Sequence, residues 1–231
     1  MNNELSMQRN FRFLNVITSV FVAVLLISNI TSTKIVEFAF FTFDGGTLLF
    51  PISYIFGDVL TEVYGYKEAR KVIWIGFFCA ALMSLIVWVI GIMPSSAEWT
   101  NQAAYDAILG TTPRIVLGSL LAYFAGSFSN SIILSKMKIL TKGKWLWTRT
   151  IGSTLIGEGI DSLVFVAMAF LGTFSMPLLI SIFVSNYIFK VGFEIILTPL
   201  TYKVVSFLKD AERVDAFDYQ TKYNPFILQS R

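Results

Sequence analysis

Apolar residues run along this chain in long, weakly interrupted stretches, at about 12–33, 47–65, 71–92, 113–135, 150–172 and 178–207. At about 1.5 Å of helical rise per residue, runs of this length match a hydrocarbon layer about 30 Å thick. The pattern predicts an all-α membrane protein of six transmembrane helices in one domain, residues 12–207. Residues 1–11 precede it, and residues 208–231 form a polar, partly disordered tail. Pro113 and Pro177 fall in the first turn of a span, where a missing amide costs nothing. Pro51 and Pro199 fall inside spans and are expected to kink them. Between the first two spans, residues 38–46 form an apolar excursion with a turn expected at Asp44-Gly45. It reads as a short hairpin, either a lid or a linker lying among lipid headgroups. Residues 93–112 form a polar outer loop, mildly acidic through Glu98 and Asp106.

Composition agrees: 55% of residues are hydrophobic, only 14% are charged, and the mean hydropathy is +0.67. Soluble domains carry roughly 25% charged residues. Residues 1–12 and the following run resemble a signal peptide, but no small-x-small cleavage pattern follows, so a retained first span is expected. Fifteen of the 18 Lys and Arg fall on one side of the predicted spans, Lys34 and Arg114 on the other, and Lys190 within a span. Positive loops stay inside, so both termini are expected in the cytoplasm. The chain has no histidine and one cysteine, Cys79, which removes His-based catalysis, Cys/His metal sites and internal disulfides. Its net charge of +3 is too small to suggest a nucleic-acid partner. Gly143-Lys144 is followed by Trp145, so there is no phosphate-binding loop. No cofactor is expected.

Two echoes link the halves. Ser28-Asn29 recurs as Ser129-Asn130, and Gly57-Asp58 as Gly157-Glu158. With three spans per half, they point to a 3+3 inverted repeat, a common plan for secondary carriers.

Candidate chemistry lies in the acids placed inside spans: Asp58 and Glu62, Glu158 and Asp161, and Glu194. A carboxylate in hydrocarbon costs about 2.5–3.5 kcal/mol on insertion scales, so such groups line a cavity or meet a partner. Helical rise puts Asp58, Glu158, Asp161 and Lys190 at a shared depth, with Glu62 nearer the cytoplasmic edge. Lys190 and Glu194, four residues apart, are expected to pair locally. The acids left over either titrate as a proton relay or are completed by a nitrogen-rich solute. A purine-like base offers a ring N–H and an exocyclic amine to one carboxylate, and Tyr54, Phe56, Tyr64 and Tyr187 are candidates to stack on it. The glycines flanking Glu158 are expected to let a solute approach. Candidate ligands are therefore Asn29, Asp58, Glu62, Glu158, Asp161, Asn186, Lys190 and Glu194. The plainer readings are that Glu62 snorkels toward Lys67 or Arg70, that Asn29, Asn130 and Asn186 join helices, and that Arg70 only anchors topology.

Three stretches resemble the queuosine-precursor transporter family, also called the vitamin uptake transporter family: Ser28 to Ile35, Phe50 to Gly65, and Gly157 to Ser162. Lys190-Val191 followed by Glu194 and Pro199 also fits. The resemblance implies a multi-pass inner-membrane carrier that imports a 7-deazaguanine base, such as 7-cyano- or 7-aminomethyl-7-deazaguanine or queuine, for salvage into tRNA. It implies no enzyme activity, with a small nucleobase-like solute and membrane lipid as partners; a homodimer is expected because the bundle is small. The alternative is a vitamin-binding subunit of an energy-coupling-factor importer. Such subunits dock through small residues four apart on the first span, whereas here Ala23 is followed by Ile27. An aspartyl intramembrane enzyme using Asp58 and Asp161 is the third reading.

Overall fold

The computed structural model describes residues 11–38, 41–110, 113–172 and 175–227. Among the described residues, five helices are long and apolar enough to cross a membrane: α1 (Leu14–Thr31), α3 (Tyr66–Gly91), α5 (Pro113–Leu140), α6 (Leu146–Phe170) and α7 (Met176–Glu212). The run expected to make the second crossing is shorter than the others. It folds as α2 (Phe50–Val59), continued by a single wide π turn over Leu60–Tyr64. Pro51 sits in the first turn of α2 and so starts the helix instead of kinking it. Pro199 lies inside α7, which runs on past it for 37 residues in all, about 55 Å of helix.

After α1 the chain makes a two-stranded antiparallel hairpin, β1 (Ile35–Phe38) with β2 (Phe41–Asp44). Phe38 pairs with Phe41, so the connection is residues 39–40, which lie outside the described residues. The expected turn at Asp44-Gly45 is instead the end of β2 and the start of a 3-10 turn, Gly45–Leu48. Within the outer loop, Gln102–Leu109 forms a short helix, α4.

At one end of the bundle, here named the inner end after the expected orientation, most helices run further than the apolar pattern indicates. Arg70, Lys138, Arg149 and Lys209 all lie on helices and not in loops. Gly65 permits the reversal between the π turn and α3, with φ of 84° and ψ of 167°, a region open only to glycine. A Cβ there would also stand 3.1 Å from Ala216 and 3.3 Å from Asp218 of the tail.

The tail is not disordered through Ile227; it folds back on this end of the bundle. Asp218 accepts from the Tyr66 amide at 2.9 Å and from Ser135 Oγ at 2.6 Å. Arg70, only 1% exposed, donates to the carbonyls of Lys222 and Asn224, and Trp74 Nε1 donates to Pro225 O. Arg70 thus holds the tail, where topological anchoring alone was expected. The amides of Arg12 and Phe13 donate to Glu212, so the start of α1 and the end of α7 meet at the same end. Residues 1–10 lie outside the described residues.

Helices α5 and α6 pack closest. A Cβ at Gly157 would lie 2.8 Å from Asn130 Cβ, and one at Gly126 would lie 2.7 Å from Asp161 Cβ. Small residues that let helices approach are the usual device where lipid removes the hydrophobic drive between them. Gly157 therefore serves helix packing and not solute approach. Facing lipid, α3 exposes Phe78, Leu82 and Leu85.

Candidate functional site

The helices enclose a cavity of about 1040 Å³, at the upper end of the roughly 300–1,000 Å³ usual for small-molecule sites. Trp88 of α3, Ile108 of α4 and Thr33 after α1 line its outer part, and its walls are mainly apolar. Its polar lining includes Asn29 of α1, Asn130 and Ser131 of α5, Asp161 of α6, and Asn186 and Lys190 of α7. Four of the eight expected ligands thus reach one hollow: Asn29, Asp161, Asn186 and Lys190.

The others stand behind it or below. Lys190 Nζ lies 2.7 Å from Asp161 Oδ2 and 3.0 Å from Glu158 Oε2, so α7 is tied across to α6. The expected local pair of Lys190 with Glu194 is not made. Two carboxylates on α6, three residues apart and both buried, draw the ammonium away from its own helix. Asp58, fully buried on α2, accepts from Asn130 Nδ2 at 2.7 Å, and its second oxygen has no hydrogen-bond partner among the described residues. Glu194, 1% exposed, has neither oxygen so paired, and lies close enough to Asp58 for their charges to repel. Asp58 and Asp161 are bound to different partners, Asn130 and Lys190.

Glu62 is separate again, and it does not snorkel toward Lys67 or Arg70. It lies in the π turn at the inner end, wholly buried in a basic cage. Arg149 grips it with two bonds of 2.7 and 2.9 Å, Lys209 lies at 2.6 Å and Lys138 at 3.4 Å. A planar guanidinium meeting a carboxylate at two points fixes direction as well as distance. Lys138 also bonds the Glu62 carbonyl, and the Ala216 amide bonds the Val63 carbonyl. Both are carbonyls that a helix C-terminus leaves without internal donors. Asp215 of the tail completes the cage, 2.5 Å from Lys138 and 2.8 Å from Lys209. Partial burial opposes its ionisation, but the two lysines outweigh that and hold its carboxyl below the usual carboxylate range.

Three of the expected aromatic neighbours, Phe56, Tyr64 and Tyr187, do not line the cavity. Tyr187 stacks on Phe183 and donates to Leu155 O; Tyr64 donates to Glu212 at the inner end; Phe56 packs into the core. The side chain of Tyr54 lies outside the described ones. Phe21, Tyr123 and Phe165 take that place along the cavity wall. Asn130 was the residue missed as a ligand candidate. The signal for it was its echo of Asn29, and both now line the same hollow.

Long apolar helices around a hollow with a charged and amide-bearing lining define a multi-pass membrane protein with a polar cavity among its helices. The chain belongs to the family described as "Putative vitamin uptake transporter", whose profile matches residues 44–204. It is 30% identical over 187 residues to a protein of Bacillus subtilis named "Probable queuosine precursor transporter", covering 80% of this chain and 82% of that one. A Haemophilus influenzae protein of the same name is 26% identical over 69% of this chain and 67% of its own. The Escherichia coli "Queuosine precursor transporter" is 25% identical over 54% of each. No solved structure matches. Family and apolar helices together make it a protein of the plasma membrane.

Proposed function

We propose that this chain imports a queuosine precursor, a 7-deazaguanine base, through the cavity between α1, α5, α6 and α7. The observation that carries the reading is the joint presence, in the lining of one cavity, of a carboxylate (Asp161), an ammonium (Lys190) and three amides (Asn29, Asn130, Asn186). A deazaguanine presents a ring N–H and an exocyclic amine side by side, with a carbonyl next to them. Acid and ammonium held 2.7 Å apart answer both kinds of group. The names of the three relatives support the same solute class.

The crossing number belongs to this proposal. Phe50–Tyr64 with the 3-10 turn before it makes the sixth crossing, and both termini lie in the cytoplasm. In support, the basic helix ends, the tail and the Arg12–Glu212 contact gather at one end of the bundle. A 3+3 inverted repeat follows the same scheme, with Asn29 and Asn130 as counterparts across the cavity. A homodimer is the assembly proposed, and a monomeric mass in lipid nanodiscs would remove it. The energy-coupling-factor alternative is opposed by α1, where Ile27 is 51% exposed and breaks a small-residue docking face.

The test is uptake of tritiated queuine by cells unable to make queuosine. Asp161→Asn and Asn186→Ala should each lower it about 10–100-fold at equal expression, the worth of a buried hydrogen bond to a charged group. Wild-type uptake in both variants would remove the assigned site, and guanine competing as well as queuine would remove the solute.

A further inference from the structure

The five intramembrane acids meet three different fates, which the sequence alone did not separate. Glu62 is caged by Arg149, Lys209 and Lys138. Glu158 and Asp161 share Lys190. Asp58 and Glu194 have no cation within ion-pair distance among the described residues, although both are almost wholly buried. Besides Asp58, the charged groups on α2, the π turn and α6, all packed against α7, are Glu62, Arg149, Glu158 and Asp161; α5, packed against α2, adds Lys138, held by Glu62 and Asp215, and Lys136, which lies over the Tyr223 ring. Each of these is already paired, as is Lys190 on α7 itself. Among the described residues no Lys or Arg lies within ion-pair distance of Asp58 or Glu194.

Two buried carboxyl groups close enough for their charges to repel are costly to ionise together, because the desolvation and repulsion add. One oxygen of Asp58 and both oxygens of Glu194 lack hydrogen-bond partners, which suits groups awaiting a proton. The pair also touches the cavity through one residue. Asn130 lines the hollow and donates from Nδ2 to Asp58 Oδ1, while its own Oδ1, on a residue only 2% exposed, has no partner among the described residues.

We propose that Asp58 and Glu194 form the site of a co-transported proton, distinct from the solute ligands and linked to them through Asn130. This rests on the solute reading above. The proton enters from the outer cavity and is held between the two carboxyls. A solute donor accepted by Asn130 Oδ1 fixes the amide and, through it, the Asp58 oxygen it grips. Opening of the inner end hydrates the pair, and the proton leaves to the cytoplasm with the solute. No bond other than O–H is made or broken, and one positive charge moves inward per cycle when the solute is neutral.

The full chain in proteoliposomes, with tritiated queuine as probe, tests this. With the membrane potential clamped, an acid-outside gradient of one pH unit should drive up to about tenfold accumulation, the limit for one proton per solute. In Glu194→Gln the ratio of gradient-driven to gradient-free uptake should fall to about one. Wild-type accumulation that ignores the pH gradient, or follows a sodium gradient instead, overturns the proposal; so does Glu194→Gln accumulating like wild type. A second measurement needs neither solute nor transport. The infrared C=O stretch of a protonated carboxylic acid should be present in the purified wild-type protein at neutral pH and lost or shifted in Glu194→Gln or Asp58→Asn. If it is absent from wild type, the pair does not hold a proton. If queuine does not move at all but the band is present, the solute reading fails and the proton site stands.

Discussion

Lys190 is the residue on which the polar floor of the cavity depends. It is the sole ammonium in contact with Glu158 and Asp161 among the described residues, and it does so from another helix. Lys190→Met leaves two buried carboxylates without a cation, a change that costs about 3–5 kcal/mol when one partner of a buried pair is removed. Thermal unfolding in detergent should show a clearly lowered midpoint. Adding Glu158→Gln and Asp161→Asn should restore the midpoint without restoring uptake, since the charge debt is removed but the ligands are not returned. If the triple variant remains as unstable as Lys190→Met, the ammonium has a structural role other than neutralisation. At this scale the sequence was partly legible. Helical rise correctly placed Glu158, Asp161 and Lys190 at one depth, because depth is a local count along each helix. It did not say which acid each cation meets. The i,i+4 rule favoured Glu194, whereas the observed partner is 29 residues away, and the ligands of Glu62 lie 76, 87 and 147 residues off. Pairing across helices depends on their rotation, which no local spacing encodes.

Among elements, the tail after α7 changes most between expectation and structure. Its composition is polar, which suggests a solvated end, yet Asp215, Asp218 and the carbonyls of residues 222–225 serve as acceptors for buried donors on α3 and α5. The helix ends show the same bias. An apolar run stops where lysines and arginines begin, but the helices continue, because those cations turn inward to Glu62 and the tail. The second helix is shorter than its apolar run for the converse reason: that run includes residues that form the 3-10 turn and not α-helix. The tail contact carries a pH prediction. Asp215 is held below the ordinary carboxylate range by Lys138 and Lys209, so its contribution to stability is present above its unfolded pKa, about 3.9, and lost as pH falls through the lower folded value. Asp215→Asn should therefore lower the unfolding midpoint at neutral pH, and the two proteins should converge below about pH 4. The difference should be modest, because the side chain is 45% exposed and partly screened by solvent. A gap that widens on acidification would show that the lysines are not what Asp215 serves.

At the scale of the whole molecule the two ends are unequal. The cavity extends as far as Trp88 and Ile108 toward one end, while the end proposed to face the cytoplasm is shut by the Glu62 cage and the folded tail. A carrier must exchange this arrangement for its opposite, and the closing contacts on one side set how far the balance leans. Alternative states of a protein commonly differ by a few kcal/mol. Removing one partner of a buried ion pair is worth about 3–5 kcal/mol, enough to invert such a balance. Glu62→Gln, which keeps the shape of the side chain and removes the charge that Arg149, Lys209 and Lys138 converge on, should therefore favour the inward-open form. Single cysteines in a Cys79→Ser background report this directly. Ser127, on the cavity wall, should react with an impermeant thiol reagent from outside when replaced by cysteine, while a cysteine at the fully buried Thr150, beside Arg149, stays protected. With Glu62→Gln added, labelling at position 127 should fall and labelling at position 150 from the cytoplasmic side should rise, each about tenfold or more, since 1.4 kcal/mol already shifts a population ratio tenfold. Position 127 reacting from the inside in the parent protein would reverse the assignment of open and closed ends. Unchanged labelling at both positions with Glu62→Gln would mean that the cage is a rigid part of the scaffold, and that the contacts which open and close the path lie among the helices above it.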